Sequence, residues 1–136
     1  MSLEKNKDLV RRSVTEFWNT GDMSALDRFF AASYVGHGGP HPGPLAEFRK
    51  SAKATFEAFP DMRLTVDDLV AEGDKVTKRW TARGTHKGTF MGMPASGRRF
   101  EVTGLDIYRI ADGKLAECWA VMDTVTMMKQ LGALPG

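Results

Sequence analysis

The stretch FEVTGLDIYRIADGKLAECWAVM, residues 100–122, decides the fold. Apolar and polar residues alternate on both sides of Asp112-Gly113, which is the pattern of two strands joined by a tight turn. Side chains alternate between the faces of a strand, so this hairpin offers two sets. The even set is Gly104, Asp106, Tyr108, Ala116, Cys118, Ala120 and Met122. The odd set is Leu105, Ile107, Arg109, Leu115, Glu117, Trp119 and Val121. Small side chains leave room, so the even set is expected on a concave side facing a pocket. A three-residue connection, Ala111-Asp112-Gly113, pairs Asp106 with Cys118 and keeps each set on one face. A two-residue turn puts Asp106 opposite Trp119 and mixes the sets. The first is the preferred reading, and it leaves the odd face with Trp119 in need of cover, most simply from a second copy in a homodimer.

Upstream, residues 62–72 alternate with a bulge at Asp67-Asp68, and Gly73-Asp74 turns the chain into a second strand over 75–86. Residues 84–99 are glycine-rich and loop-like. Before residue 60 the period is helical. Leu9, Val10, Val14, Phe17 and Trp18 share a face that Gly21-Asp22 ends, and a short helix over 24–31 presents Leu26, Phe29 and Phe30. Glycines and prolines break residues 34–44. A third helix then carries Leu45, Phe48, Ala52, Phe56 and Phe59. Asp123 begins a last short helix as its N-cap. Three N-terminal helices packed on a curved antiparallel sheet make an α+β domain, expected to span 1–136 as one unit.

Composition narrows the function. The 136 residues are 42% hydrophobic and 26% charged, an ordinary globular balance. The longest apolar run, residues 118–122, is too short to span a membrane, and with no charged-then-apolar opening segment the expected location is cytoplasmic. The net charge is +2, and the basic doublets Arg11-Arg12, Lys78-Arg79 and Arg98-Arg99 are scattered. They read as solvated edges rather than a nucleic-acid surface. A lone cysteine, Cys118, excludes an internal disulfide and a cysteine zinc cluster. No phosphate-cradling glycine motif is present, and no cofactor is expected.

What remains is chemistry by acids, histidines and aromatics. Asp106 lies mid-strand between Leu105 and Ile107, a poor place for an acid unless it faces a pocket. There it would serve as general acid, base or oxyanion donor, or as a structural acid bonded to an amide or a histidine. His37 follows a helix and is flanked by glycines, placing it for proton transfer near neutrality or for a structural loop role. His41 is separated from it by Gly-Gly-Pro, which cannot aim both rings at one metal, so no metal site is expected. His86 would line the pocket mouth or, preferably, anchor the turn at 84–88. Trp18, Phe56, Trp80, Tyr108, Cys118, Ala120 and Met122 are expected to line the pocket.

Together these residues carry a resemblance. Gly-Thr-His-Lys-Gly (84–88), Met-Gly-Met-Pro-Ala-Ser-Gly-Arg-Arg-Phe (91–100), Tyr-Arg-Ile-Ala-Asp-Gly-Lys-Leu (108–115) and Lys-Gln-Leu-Gly (129–132) resemble the SnoaL-like polyketide cyclases of the nuclear transport factor 2-like superfamily. The resemblance implies a cone-shaped roll with an apolar pocket, usually dimeric, that closes rings by an aldol reaction without metal or cofactor. It also implies an acid/base aspartate seven residues after the hairpin glycine, a position held here by Ala120. A histidine of those cyclases falls on Asp106. Ketosteroid isomerases of the same superfamily suggest another assignment, with His37 in the base position and Asp106 as a neutral oxyanion donor.

The leading expectation is therefore cofactor-free chemistry at the carbon α to a carbonyl of a small hydrophobic molecule, with His37 as base and Asp106 kept neutral by burial. Ala120 favours an alternative, a binding protein without catalysis. A dimeric accessory module is the third reading.

Overall fold

The computed structural model describes residues 2–133. Helix α1 (Leu3–Ser13) begins where the Ser2 hydroxyl accepts the Lys5 amide at 3.1 Å. It widens into a five-residue π turn, Val14–Trp18, which buries Val14, Phe17 and Trp18. After a 3₁₀ turn, Met23–Ala25, capped by the Asp22 carboxylate, comes the one-turn helix α2 (Leu26–Phe29). Helix α3 (Leu45–Ala58) follows, and α4 (Thr124–Gln130) ends the described fold with Asp123 as its N-cap. None of these helices is long and apolar enough to cross a membrane.

The helix expected over 24–31 stops at Phe29, and the stretch read as irregular is largely a strand. Strand β1 (Phe30–His37) buries Phe30, Tyr34 and Gly36 and is followed by the two-residue β2 (Gly43–Pro44). Its register slips between Phe30 and Val35, so no clean alternation marks it in the sequence. The remaining strands are β3 (Arg63–Glu72), β4 (Lys75–Thr85), β5 (Arg99–Ala111) and β6 (Lys114–Met122). The sheet is open, ordered β2-β1-β6-β5-β4-β3. It is mixed rather than wholly antiparallel, because β1 joins β6 in parallel. The β3 bulge leaves Asp67 without a partner, close to the position expected.

The last hairpin takes neither of the two forms considered. Asp112 (φ +51°) and Gly113 (φ +73°) make a two-residue turn that pairs Ala111 with Lys114. Positive φ at both centres matches the twist of the strands and suits Asp-Gly. Ala116 then bulges out of register, which restores the even set to one face. Asp106 lies opposite Ala120, not Cys118 or Trp119, and Tyr108 lies opposite Cys118. Beyond the bulge the faces swap, so Leu115, assigned to the outer set, is fully buried.

Two apolar clusters fill the concave side. Phe17, Phe30, Phe48, Val76 and Leu115 belong to one, and Phe59, Trp80, Phe100, Val102 and Met127 to the other. The strands pack closely around Trp80. A Cβ on its register partner Gly104 would land on the indole and stand 2.8 Å from the Val121 carbonyl oxygen. Gly104→Ala should therefore overpack the sheet and cost about 1–3 kcal/mol. Thermal unfolding will read this as a fall of several degrees, and an unchanged midpoint would show that Trp80 turns aside freely.

Candidate active site

The cavity lies at the seam between the two clusters. Alternation on β4 sends Lys78, Trp80 and Ala82 inward, and β5 adds Val102, Asp106 and Tyr108. Strand β6 contributes Cys118, Ala120 and Met122, while Trp18, Tyr34 and Phe48 close the helical side. Its free volume is about 80 Å³, and three methionines, Met62, Met122 and Met127, stand in its wall.

One corner is polar. Lys78 is 1% exposed, and its Nζ stands 3.2 Å from Asp106 Oδ2 in an ion pair. The same ammonium donates to the Tyr108 hydroxyl at 3.3 Å, and that hydroxyl donates to Asp106 Oδ2 at 3.4 Å. Burial, then the Asp106 charge, hold the Tyr108 phenol well above its usual pKa. It stays a hydrogen-bond donor at neutral pH. Burial likewise raises Tyr34 and the Cys118 thiol, so Cys118 is a neutral wall residue and not a thiolate.

The structure brings Trp18, Trp80, Asp106, Tyr108, Cys118, Ala120 and Met122 together around this space. Phe56 is not among the lining residues. It packs against Phe17 and Trp18, with ring centroids 5.4 and 5.9 Å away, and so backs the wall. Nor does His86 reach the cavity. It is 1% exposed, its Nδ1 accepts the Ser96 amide at 3.3 Å, and its backbone pairs with Gly97 and Arg98. That makes it an anchor for the loop over 86–98.

His37 needs a larger correction. It reaches the cavity mouth, but its ring stacks on Trp119 at 5.5 Å, and Nε2 bonds Glu117 at 2.7 Å on the outer face. Glu117 also accepts from Arg109, and these two bonds hold its carboxyl below the usual range. His37 thus lines the same cavity as Asp106 while its Nε2 is committed to Glu117 on the outer face. Asp106, in turn, is no lone acid, because Lys78 answers its charge. The outer face itself exposes Leu105, Ile107, Trp119 and Val121.

Two site residues escaped the sequence reading. Lys78 reads in sequence as half of a solvated doublet, but in the structure it shares the inward face of β4 with Trp80 and Ala82. Extending that alternation by two residues would have found it. His41 had no such signal. It sits in Pro40-His41-Pro42, and its ring lines the cavity beside Trp18 and Phe48, with centroids 5.2 and 5.7 Å away. Its Nδ1 lies 3.1 Å from the Ser51 hydroxyl. Burial, then the Lys78 charge, lower its pKa from 6.5 to about 4. Among the described residues no three His, Cys, Asp or Glu side chains gather as metal ligands.

Residues 8–131 match the SnoaL-like polyketide cyclase family. The chain belongs to that family. It is 29% identical over 130 residues to the aklanonic acid methyl ester cyclase of Streptomyces peucetius, covering 92% of this chain and 89% of the relative. It is 29% identical over 121 residues to the nogalonic acid methyl ester cyclase of Streptomyces nogalater, covering 85% and 89%. Among solved structures, TsrD from Streptomyces laurentii superposes with a TM-score of 0.88 at 34% identity, covering 98% and 99% of the two chains. This SnoaL-like domain thus matches relatives named as cyclases over most of its length and shares its fold with TsrD.

The His41 environment gives a pH prediction. Above pH 6.5 the imidazole is neutral in both states. As pH falls from 6.5 to about 4, the unfolded chain takes the proton and the native one does not. Stability should therefore drop across that window, by about 2–3 kcal/mol at about 1.4 kcal/mol per pH unit. The lowered carboxyls Asp61 and Asp123 act only at more acidic pH. Urea unfolding at pH 7, 5.5 and 4.5 checks this, and His41→Gln should flatten the slope.

Proposed function

We propose that this protein closes a ring in a polyketide-like carbonyl compound, without a cofactor, by way of an enolate. The observation that carries the reading is the Lys78–Asp106–Tyr108 corner, buried at the end of an apolar cavity. A proton leaves the carbon α to a carbonyl, and the electron pair moves onto that carbonyl oxygen. The Lys78 ammonium, and the Tyr108 hydroxyl on turning its hydrogen from Asp106, are donors for the resulting oxyanion, strengthened by their dry surroundings. The enolate carbon then attacks a second carbonyl of the same molecule. A carbon–carbon bond forms, and the new alkoxide takes up the proton. Asp106, in its ion pair with Lys78, holds that side chain in place throughout.

Ala120 stands where the cyclase aspartate is implied, yet Asp106 is its register partner on the adjacent strand. A carboxyl still reaches this part of the cavity, from β5 instead of β6, which favours catalysis over binding alone. A second reading, ligand binding without turnover, draws on the same Ala120.

Aklanonic and nogalonic acid methyl esters, the compounds in the relatives' names, are the substrates to try. Wild-type protein should convert at least one to a cyclised product seen by liquid chromatography. Lys78→Met should lower kcat by about 10²–10³-fold, the effect of losing one oxyanion donor, and Tyr108→Phe should lower it less. Because Lys78→Met strands a buried carboxylate, Lys78→Met/Asp106→Asn serves as the folding control. Quenching of Trp18 and Trp80 fluorescence with no product would replace the cyclase reading by the binding one.

A further inference from the structure

Enolate formation needs a proton acceptor, and the groups expected to supply it are committed elsewhere. His37 Nε2 is held by Glu117, and His86 is sealed in the core. Asp106 Oδ2 already faces the Lys78 ammonium and accepts from Tyr108. We propose that His41, through the lone pair on Nε2, is the base that takes the α-proton of the substrate. The inference rests on the cyclase reading and names the group that begins the reaction.

The hydrogens around one hydroxyl, that of Ser51, distinguish the two nitrogens of the His41 ring. Ser51 Oγ carries a single hydrogen and donates it to the Phe48 carbonyl at 3.2 Å, one turn back along α3. Toward His41 Nδ1, at 3.1 Å, the same oxygen can then only accept. In that arrangement Nδ1 bears the ring hydrogen, and Nε2 is left with its lone pair. Among the described residues Nε2 has no hydrogen-bond partner, and it is not one of the buried polar atoms closed off from solvent. His41 lines the cavity, and with Nδ1 taken up by Ser51 on α3, Nε2 is the ring nitrogen free to serve it.

The placement is rigid. Prolines on both sides restrict the backbone, Trp18 and Phe48 pack together against the ring, and Ser51 fixes its rotation. The charged group facing it is Lys78 on β4, which disfavours the imidazolium. The imidazole therefore stays neutral and able to accept. A weak base suffices when the oxygen of the enolate is stabilised as it forms, and the same Lys78, with Tyr108, provides for that. Proton acceptor and oxyanion donors thus stand on different elements, the one on the β1–β2 connection and the others on β4 and β5.

The first test needs no substrate. In wild-type protein with ¹⁵N-labelled histidine at pH 7, the His41 resonances should show hydrogen on Nδ1 and none on Nε2. Hydrogen found on Nε2 overturns the proposal. The second test follows exchange of the α-hydrogens of 2-tetralone, an apolar bicyclic ketone, in D₂O by proton NMR. His41→Gln should slow the protein-catalysed exchange about 10²-fold or more. Ser51→Ala should slow it less and should mix the two tautomers in the ¹⁵N spectrum. If Asp106→Asn abolishes exchange while His41→Gln leaves it intact, the carboxylate is the base. The His41 assignment then falls, and the cyclase reading stands. If wild-type protein exchanges no α-hydrogen, both fall together.

Discussion

An ammonium lodged in an apolar wall must have its charge answered. Lys78 and Asp106 are direct register partners on β4 and β5, and Asp106 is in turn the partner of Ala120 on β6. The pair therefore sits in one row across the centre of the sheet. A slip of one residue between β4 and β5 would turn one charge outward and leave the other stranded. The same contact that gives the cavity its chemistry also penalises every wrong register of the strands that build it. Tyr108, two residues along β5 from Asp106, completes the arrangement without adding charge.

Much of the architecture was legible because it is written in period. Helical spacing through Leu9, Val14 and Phe17, and alternation from residue 62 onward, led to α1, α3 and the four long strands. β1 was not legible. Its parallel pairing with β6 is irregular, its middle residues Ala32 and Ser33 are exposed, and glycines and prolines follow at once. The hairpin shows a different limit. Asp112-Gly113 announced a turn, but the face assignment depended on the Ala116 bulge, and no residue type marks a bulge of that kind. The inward position of Asp106 was reached through a register the chain does not adopt.

The site divides the same way. Aromatic and small lining residues followed from strand faces, since facing the cavity is a property of alternation. Which histidine serves the cavity did not follow. His37 and His41 both lie in the glycine- and proline-rich stretch after Tyr34, and only three-dimensional packing separates them. His37 ends β1 on the convex side among Trp119, Glu117 and Arg109. His41 falls past Gly38 and Gly39, both at positive φ, where the chain crosses close over Ala120. A Cβ on Gly38 would stand 2.7 Å from the Ala120 carbonyl oxygen, so this crossing requires glycine. The small residue at 120 and the bare backbone above it form one fitted contact.

The thioethers of Met62, Met122 and Met127 have a consequence for selectivity. Methionine chains are unbranched and swing among rotamers at little cost, so the outline of the hollow is set by side chains and not by backbone. On the cyclase reading, guests of different contour would be accommodated by the same scaffold, and the spacing between oxygens and acidic carbon would distinguish a productive one. Selection of that kind reads functional groups and tolerates variation in the surrounding skeleton.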